Sequence, residues 1–186
     1  MPYEPPPELA AMSLAEIAAL VESRGLPPAS EWQPSREGDS LMRIAADGRW
    51  YHDANEFGDG EIKRPAMVRA FASLLTRDAG GQHWLVTPHE KLAIEVDDAA
   101  FIAIDVKQES GSLAFRLNTD DLIIAGPDHP VIARGDPDVP AIYLGVRNGT
   151  EARLNRSTYG QLIEIALADG KLSVDSQGMT FSLVPQ

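Results

Sequence analysis

Apolar residues recur along this chain with two periods: about 3.6 residues in three short stretches, and two residues through most of the rest. In the first helical stretch Leu14, Ile17, Leu20 and Val21 form one stripe. Ser13 and Glu16 spell an S-x-x-E capping box, with Met12 and Ile17 at the staple positions around it. Gly25 suits a left-handed C′ position, Leu26 can fold back, and Pro27-Pro28 forbids continuation. These signals predict a helix over 14–24. Residues 26–40 are rich in Pro, Ser and charge and read as a loop, which Trp32 pins to the core.

Strand periodicity then takes over. A strand over 41–45, the turn signal Asp47-Gly48 and a return strand over 49–53 make a hairpin. After a polar loop, Pro65 suits a first helical turn, and Met67, Val68, Phe71, Leu74 and Leu75 carry helical spacing, which predicts a second helix over 65–77. Ala79-Gly80-Gly81 ends it. Strands follow over 83–87, over 91–96 and over 101–107, with Asp97-Asp98 turning the chain between the last two. Leu113, Phe115 and Leu117 mark the next strand, with Arg116 on its other face, and shorter strands are expected over 122–125, 131–134 and 141–147. A third helix is expected over 157–168, and a hairpin over 171–184 closes the chain. Short strands with tight turns and few helices predict an α+β fold with mostly antiparallel sheets.

Two segments align without a gap. Trp50-Tyr51-His52, a polar loop, Ile62-Lys63-Arg64 and then Met67 and Phe71 to Leu75 match Ile142-Tyr143-Leu144, a polar loop, Leu154-Asn155-Arg156 and then Tyr159 and Ile163 to Leu167. The order of elements and the placement of Arg64 and Arg156 argue for two diverged copies of a strand–turn–helix–strand unit. The expected organisation is an N-terminal helix and Pro-rich loop over 1–40, a first repeat over 41–110 and a second over 111–186. Two similar units pack on each other in the usual case, and the groove between them is a natural ligand site.

The 186 residues suffice for a core without disulfides, and no Cys is present, so thiolate metal sites and cysteine nucleophiles are excluded. The formal net charge of −12 opposes general nucleic-acid and anionic-membrane binding. The N-terminal residues lack the pattern of a secretory signal and the longest apolar run is far too short to span a bilayer, so a cytoplasmic location is expected. His52, His83, His89 and His129 have no paired spacing, so no metal site is expected, and the sequence points to no particular cofactor. Asp97-Asp98, Asp120-Asp121 and Asp136-Pro137-Asp138 read as turn formers. No G-x-S-x-G, P-loop or G-x-G-x-x-G occurs, and nothing marks the chain as an enzyme.

The arginines at the helix starts are the most informative feature. A helix N-terminus carries partial positive charge and free N–H groups, so Arg64 and Arg156 there call for a nearby anion. With 28 acidic residues in the chain a protein carboxylate is the first expectation, and a bound anionic ligand is the second. Asn155 and Tyr159 flank Arg156 and join the candidate site. Thr87 and Glu90, in Thr87-Pro88-His89-Glu90, read first as a loop or capping turn and second as a rim of the site. Trp50 reads first as core and second as an aromatic ligand platform.

Several of these strings resemble a known family. Asp47-Gly48-Arg49-Trp50-Tyr51, Ile62-Lys63-Arg64, Leu85-Val86-Thr87-Pro88-His89-Glu90-Lys91, Val96-Asp97-Asp98-Ala99-Ala100-Phe101 and Val146 to Arg156 together look like the DUF1285 family of uncharacterised bacterial proteins. The resemblance covers about 32–184. It implies a duplicated α+β fold whose C-terminal half is loosely similar to pleckstrin-homology domains, a ligand or partner site between the halves, and a role in signalling. His89 stands where the family pattern has Val, and Ala100 where it has Pro; neither falls on a candidate site residue. The expected function is therefore a non-catalytic ligand-binding or signalling module with an anionic ligand between the repeats. The alternatives are a protein-interaction adaptor that uses a sheet edge or the C-terminal half, and, more weakly, an enzyme with an unrecognised carboxylate site.

Overall fold

The computed structural model describes residues 7–23, 25–52 and 60–186. The chain divides into two compact units, Met1–Asp97 and Asp98–Gln186. Both are α+β; the described residues form three α-helices in all and sheets that are mostly antiparallel, as the periodicity predicts.

In the first unit, α1 (Leu14–Glu22) begins at the predicted box: the Glu16 N–H donates to Ser13 Oγ at 3.3 Å and the Ser13 N–H donates to Glu16 Oε2 at 2.7 Å. β1 (Arg36–Ile44) turns at Asp47-Gly48 into β2 (Trp50–His52), with Gly48 at φ 85. Then come α2 (Pro65–Ala72), β3 (Leu75–Arg77), β4 (His83–Val86) and β5 (Glu90–Val96). The sheet order is β2-β1-β5-β4-β3, parallel only where β1 meets β5. Its core holds Ile17, Ala18, Ile44, Trp50, Phe71, Leu74, Leu75, Leu85 and Ile94. Trp50 and Phe71 stack with ring centroids 6.3 Å apart.

Three expectations need correction here. Residues 26–40 are not all loop: a 3-10 turn covers Ala29–Glu31, and β1 starts at Arg36. That end of β1 is made a strand by parallel pairing with β5, from Arg36↔Glu90 to Asp39↔Ala93, a long-range partner that local composition does not reveal. The second helix stops at Ala72, because Leu75–Arg77 pairs with β4 instead of completing another turn. The N-terminal helix is not a separate segment, since α1 packs on α2 and Glu22 Oε1 lies 3.6 Å from Arg69 Nε.

The second unit begins with the meander β6 (Phe101–Glu109), β7 (Ser112–Leu117) and β8 (Leu122–Ile124). It continues through β9 (Val131–Asp136), β10 (Val139–Gly145) and β11 (Glu151–Leu154) into α3 (Arg156–Ala168). The hairpin β12 (Ser173–Ser176) and β13 (Met179–Ser182) follows. The six-stranded order is β8-β7-β6-β11-β10-β9, parallel only between β6 and β11. The expected boundary at 110/111 is therefore misplaced: β6 pairs with β7 and β11 and belongs wholly to the second unit.

Side chains repair the irregularities of this sheet. β6 shifts register between Ala103 and Asp105, and Gln161 on α3 accepts from the Val106 N–H at 3.3 Å while donating to Asp105 Oδ1 at 2.9 Å. Fully buried Ser176 accepts from the Leu113 N–H at 2.9 Å and donates to Ala125 O at 2.7 Å, which fastens the last hairpin to the meander.

The gap-free sequence match has a structural counterpart. Tyr51 bridges Glu61 antiparallel, and 92 positions later Tyr143 pairs antiparallel with Arg153. Each of these pairings is followed directly by a helix.

Candidate functional site

The two helix-start arginines are built differently. Arg64 is the N-cap of α2 and makes no side-chain cap; Pro65 follows it, so the first helical residue has no N–H to satisfy. The Met67 and Val68 N–H groups both bond to Arg64 O, at 3.0 and 3.1 Å. Arg156 is the first residue of α3, one place inside the helix, because Asn155 is the better cap: its Oδ1 accepts from the Thr158 N–H at 2.8 Å. Both arginines are exposed, and among the described residues neither has a carboxylate partner. The expected internal carboxylate is thus not found. The acidic groups nearest in sequence serve other cations: Glu61 lies 3.9 Å from Lys63 Nζ, and Glu151 accepts both forks of Arg134 at 2.8 and 2.5 Å.

Arg156 therefore stands with the N–H groups of Arg156 and Ser157, which no described residue accepts, at the start of a thirteen-residue helix. Tyr159 is half-buried one turn on, and its N–H bonds to Asn155 O at 2.9 Å. Asn155, Arg156 and Tyr159 share one helix start.

The remaining candidates lie in the first unit and are held by its structure. Thr87 is buried; its Oγ1 donates to Glu90 O at 2.9 Å and accepts from the Glu90 N–H at 3.1 Å. The two residues close a tight turn between β4 and β5, which is the first of their two expected readings. Trp50 is 2% exposed and stacked on Phe71, so it is core and offers no face to a ligand. Trp84 is half-buried, donates Nε1–H to Asp78 Oδ2 at 3.0 Å and lies under Lys91 Nζ at 4.2 Å. Among the described residues no three His, Cys, Asp or Glu side chains gather as metal ligands.

Both units also contain a tyrosine–arginine–aspartate cluster that the sequence reading missed. In the first, the Arg43 guanidinium lies 5.0 Å from the Tyr51 ring centroid and donates to Asp97 Oδ2 at 2.6 Å. In the second, the Tyr143 hydroxyl donates to Asp98 Oδ1 at 2.7 Å, and Arg153 donates to Asp98 Oδ2 at 2.8 Å. The guanidinium groups of Arg134 and Arg153 lie 4.6 and 5.6 Å from the Tyr143 ring. Burial, then the bond to Asp98, push the Tyr143 phenol above its ordinary value. The bonds to Glu151 and to Asp98 raise Arg134 and Arg153 respectively. These bonds fix the geometry of the cluster and favour the protonated phenol and the charged guanidinium groups. The signal that finds it is Asn148-Gly149, an Asn-Gly hairpin turn with φ 55 and 75. Reading that turn places Tyr143 opposite Arg153 to within one position.

Comparison with known proteins agrees with the two-unit division. A family model described as the N-terminal domain of DUF1285, a domain of unknown function, matches residues 27–99. A second, described as the C-terminal domain of a DUF1285 protein of unknown function, matches residues 100–183. The crystal structure of a DUF1285 family protein from Silicibacter pomeroyi DSS-3 is similar with a TM-score of 0.76 and 38% identity, over 93% of this chain and 95% of that one. A DUF1285 family protein from Shewanella baltica OS155 shares the fold at a TM-score of 0.53 and 23% identity, over 67% of this chain and 91% of that one. No curated protein matches the chain.

Proposed function

The chain belongs to the DUF1285 family, and from that premise we propose that it is a non-catalytic module that binds an anionic ligand and carries a signal through that binding. One observation supports the reading. Arg64 and Arg156 occupy matched places 92 positions apart, each is exposed at a helix start, and neither has a carboxylate partner among the described residues. By contrast Arg43, Arg134 and Arg153, on the strands that flank the matched tyrosines, are each bonded to a carboxylate. A guanidinium beside uncommitted helix N–H groups suits a carboxylate or phosphate, and the start of α3 is the stronger of the two places because two of its N–H groups are uncommitted.

Native mass spectrometry of the purified chain, followed by titration calorimetry with inorganic phosphate, a nucleoside monophosphate and a dicarboxylate, tests the reading. The expected result is retention or binding of an anion that Arg156→Ala weakens by about ten- to a hundredfold, the worth of a charge-assisted hydrogen bond of roughly 1.5–3 kcal/mol. Arg64→Ala weakens it less. Binding that both variants leave unchanged rejects the assignment to these residues.

A further inference from the structure

β8 is the terminal strand of the six-stranded sheet and pairs with β7 in the register Arg116↔Leu122, Phe115↔Ile123 and Ala114↔Ile124. The flanking bonds set the phase of the ladder. The Leu117 N–H donates to Asp121 O, and the Ala125 N–H donates to Leu113 O, each at 2.9 Å. Hydrogen-bonded pairs alternate along an antiparallel ladder, so Ile123 is the residue bonded to β7, while Leu122 and Ile124 direct their N–H and C=O groups off the edge. None of those four groups has a partner among the described residues. The same two residues expose their side chains, at 70% and 38%.

Edges that remain solitary are blunted by shortness, Lys, Pro, a bulge or an inward charge. The opposite edge obeys this rule: β9 carries Arg134 and Asp136 and runs into Pro137. In the first unit the free side of β2 is covered, since His52 and Trp50 bond to Gly60 and Ile62. Leu122-Ile123-Ile124 is short, but its own residues carry no charge, Pro or bulge.

We propose that this edge is a self-association site, where a second copy of the chain adds its own β8 antiparallel and continues the sheet. The strand is self-complementary about Ile123. A two-fold axis there sets Leu122 against Ile124 of the second copy, and Ile124 against its Leu122, so every outward N–H meets an outward C=O and apolar side chains meet across the join. The same axis sets Asp120-Asp121 against Ala125-Gly126 and keeps the acidic corners apart, which matters for a chain of net charge −12. A strand of three residues buries far less than the roughly 1,200 Å² of a standard interface, so the dimer forms only at high micromolar to millimolar concentration.

Sedimentation of the full chain from low micromolar to millimolar concentration tests this, paired with residue-resolved amide spectra. The mass should rise toward that of a dimer. The Leu122 and Ile124 amides should shift and gain exchange protection with concentration, while Ile123 is protected throughout. Ile124→Pro removes one outward N–H and leaves the β7 ladder whole; Leu122→Lys places a charge on the edge. Each should weaken association at least about tenfold with an unchanged circular dichroism spectrum, and the lysine variant stands alone if the proline variant does not fold. A chain that stays monomeric at millimolar concentration overturns the proposal, as does a dimer that survives both substitutions or protects other amides instead. A monomer whose β8 amides respond only to an added unrelated extended peptide assigns the edge to a foreign strand and overturns the second-copy occupant.

Discussion

The hairpin that leads into α2 and the hairpin that leads into α3 share a register and an antiparallel neighbour before the tyrosine strand, and differ in how they join the rest of their sheets. Tyr51 faces Glu61 as Tyr143 faces Arg153, and a helix follows at once in both. Yet the first hairpin joins the rest of its sheet through β1, the strand before the tyrosine strand, while the second joins through β11, the strand after it. The meander follows the helix in the first unit and precedes the hairpin in the second. What is common is therefore local, a tyrosine strand with an antiparallel neighbour on each side and a helix behind it. The wider topology depends on which side of the pair finds a parallel neighbour, β5 for β1 and β6 for β11. Parallel pairing needs a long connection, so the turn itself does not dictate it.

The largest break in the likeness is expected at its most buried position. Trp50 and Ile142 are matched residues, 2% and 1% exposed. Trp50→Ala removes the ring stacked on Phe71 and should cost about 3–5 kcal/mol, and Ile142→Ala about 2–5 kcal/mol. Urea unfolding followed separately by tryptophan fluorescence and by far-UV circular dichroism measures both. Similar losses would mean that the matched hairpins carry equal shares of their units. A loss under 1 kcal/mol for either would mean that its hairpin is peripheral despite its burial.

How much of this was legible in the sequence follows the same division between local and distant partners. The Ser13–Glu16 box, the Asp47-Gly48 turn and the third helix are written within a few residues of themselves and were read correctly. The first half of β1 was not, because its strand character comes from β5 and its own residues, Arg36-Glu37-Gly38-Asp39-Ser40, are charged and polar. Leu74 and Leu75 continue a helical stripe, but the pairing of Leu75 with Leu85 wins. The candidate site divides likewise. Arg64 and Arg156 were legible as helix-start residues; that no carboxylate meets them depends on where Glu61 and Glu151 point. Thr87 and Asn155 carry the right polar groups, but neighbouring backbone consumes them. Asp97 and Asp98 read as turn formers, and their partners lie 45 to 55 residues away.

Those two adjacent carboxylates make the next comparison. Asp97 holds one partly exposed arginine, Arg43, in the first unit. Asp98 holds both Arg153 and the Tyr143 hydroxyl in the second. A lone surface pair contributes about 0–1 kcal/mol, so Asp97→Ala should scarcely move the urea midpoint. Asp98→Ala strands a buried phenol and a guanidinium together and should cost about 1–3 kcal/mol. Equal effects would show that the second cluster is no better enclosed than the first.

The smallest effect sharpens the comparison through pH. In the folded chain the Tyr143 phenol is raised above 10.0 by burial and by the Asp98 carboxylate, both of which oppose a phenolate. A group whose folded value is raised contributes stability that is fully present below its unfolded value and is lost as pH rises through the folded one. Tyr143→Phe keeps the ring between Arg134 and Arg153 and removes only the hydroxyl. At neutral pH it should cost about 1 kcal/mol, the worth of the bond to Asp98. Above pH 10 the difference between the parent and the variant should close, since the unfolded phenol then ionises and folding must either return its proton or forgo the bond to Asp98. Urea midpoints of both proteins taken at neutral pH and at successive points above 10 measure that gap directly. A gap that stays constant across the range would mean that the hydroxyl acts through packing alone, and that Asp98 is held by Arg153 much as Asp97 is held by Arg43.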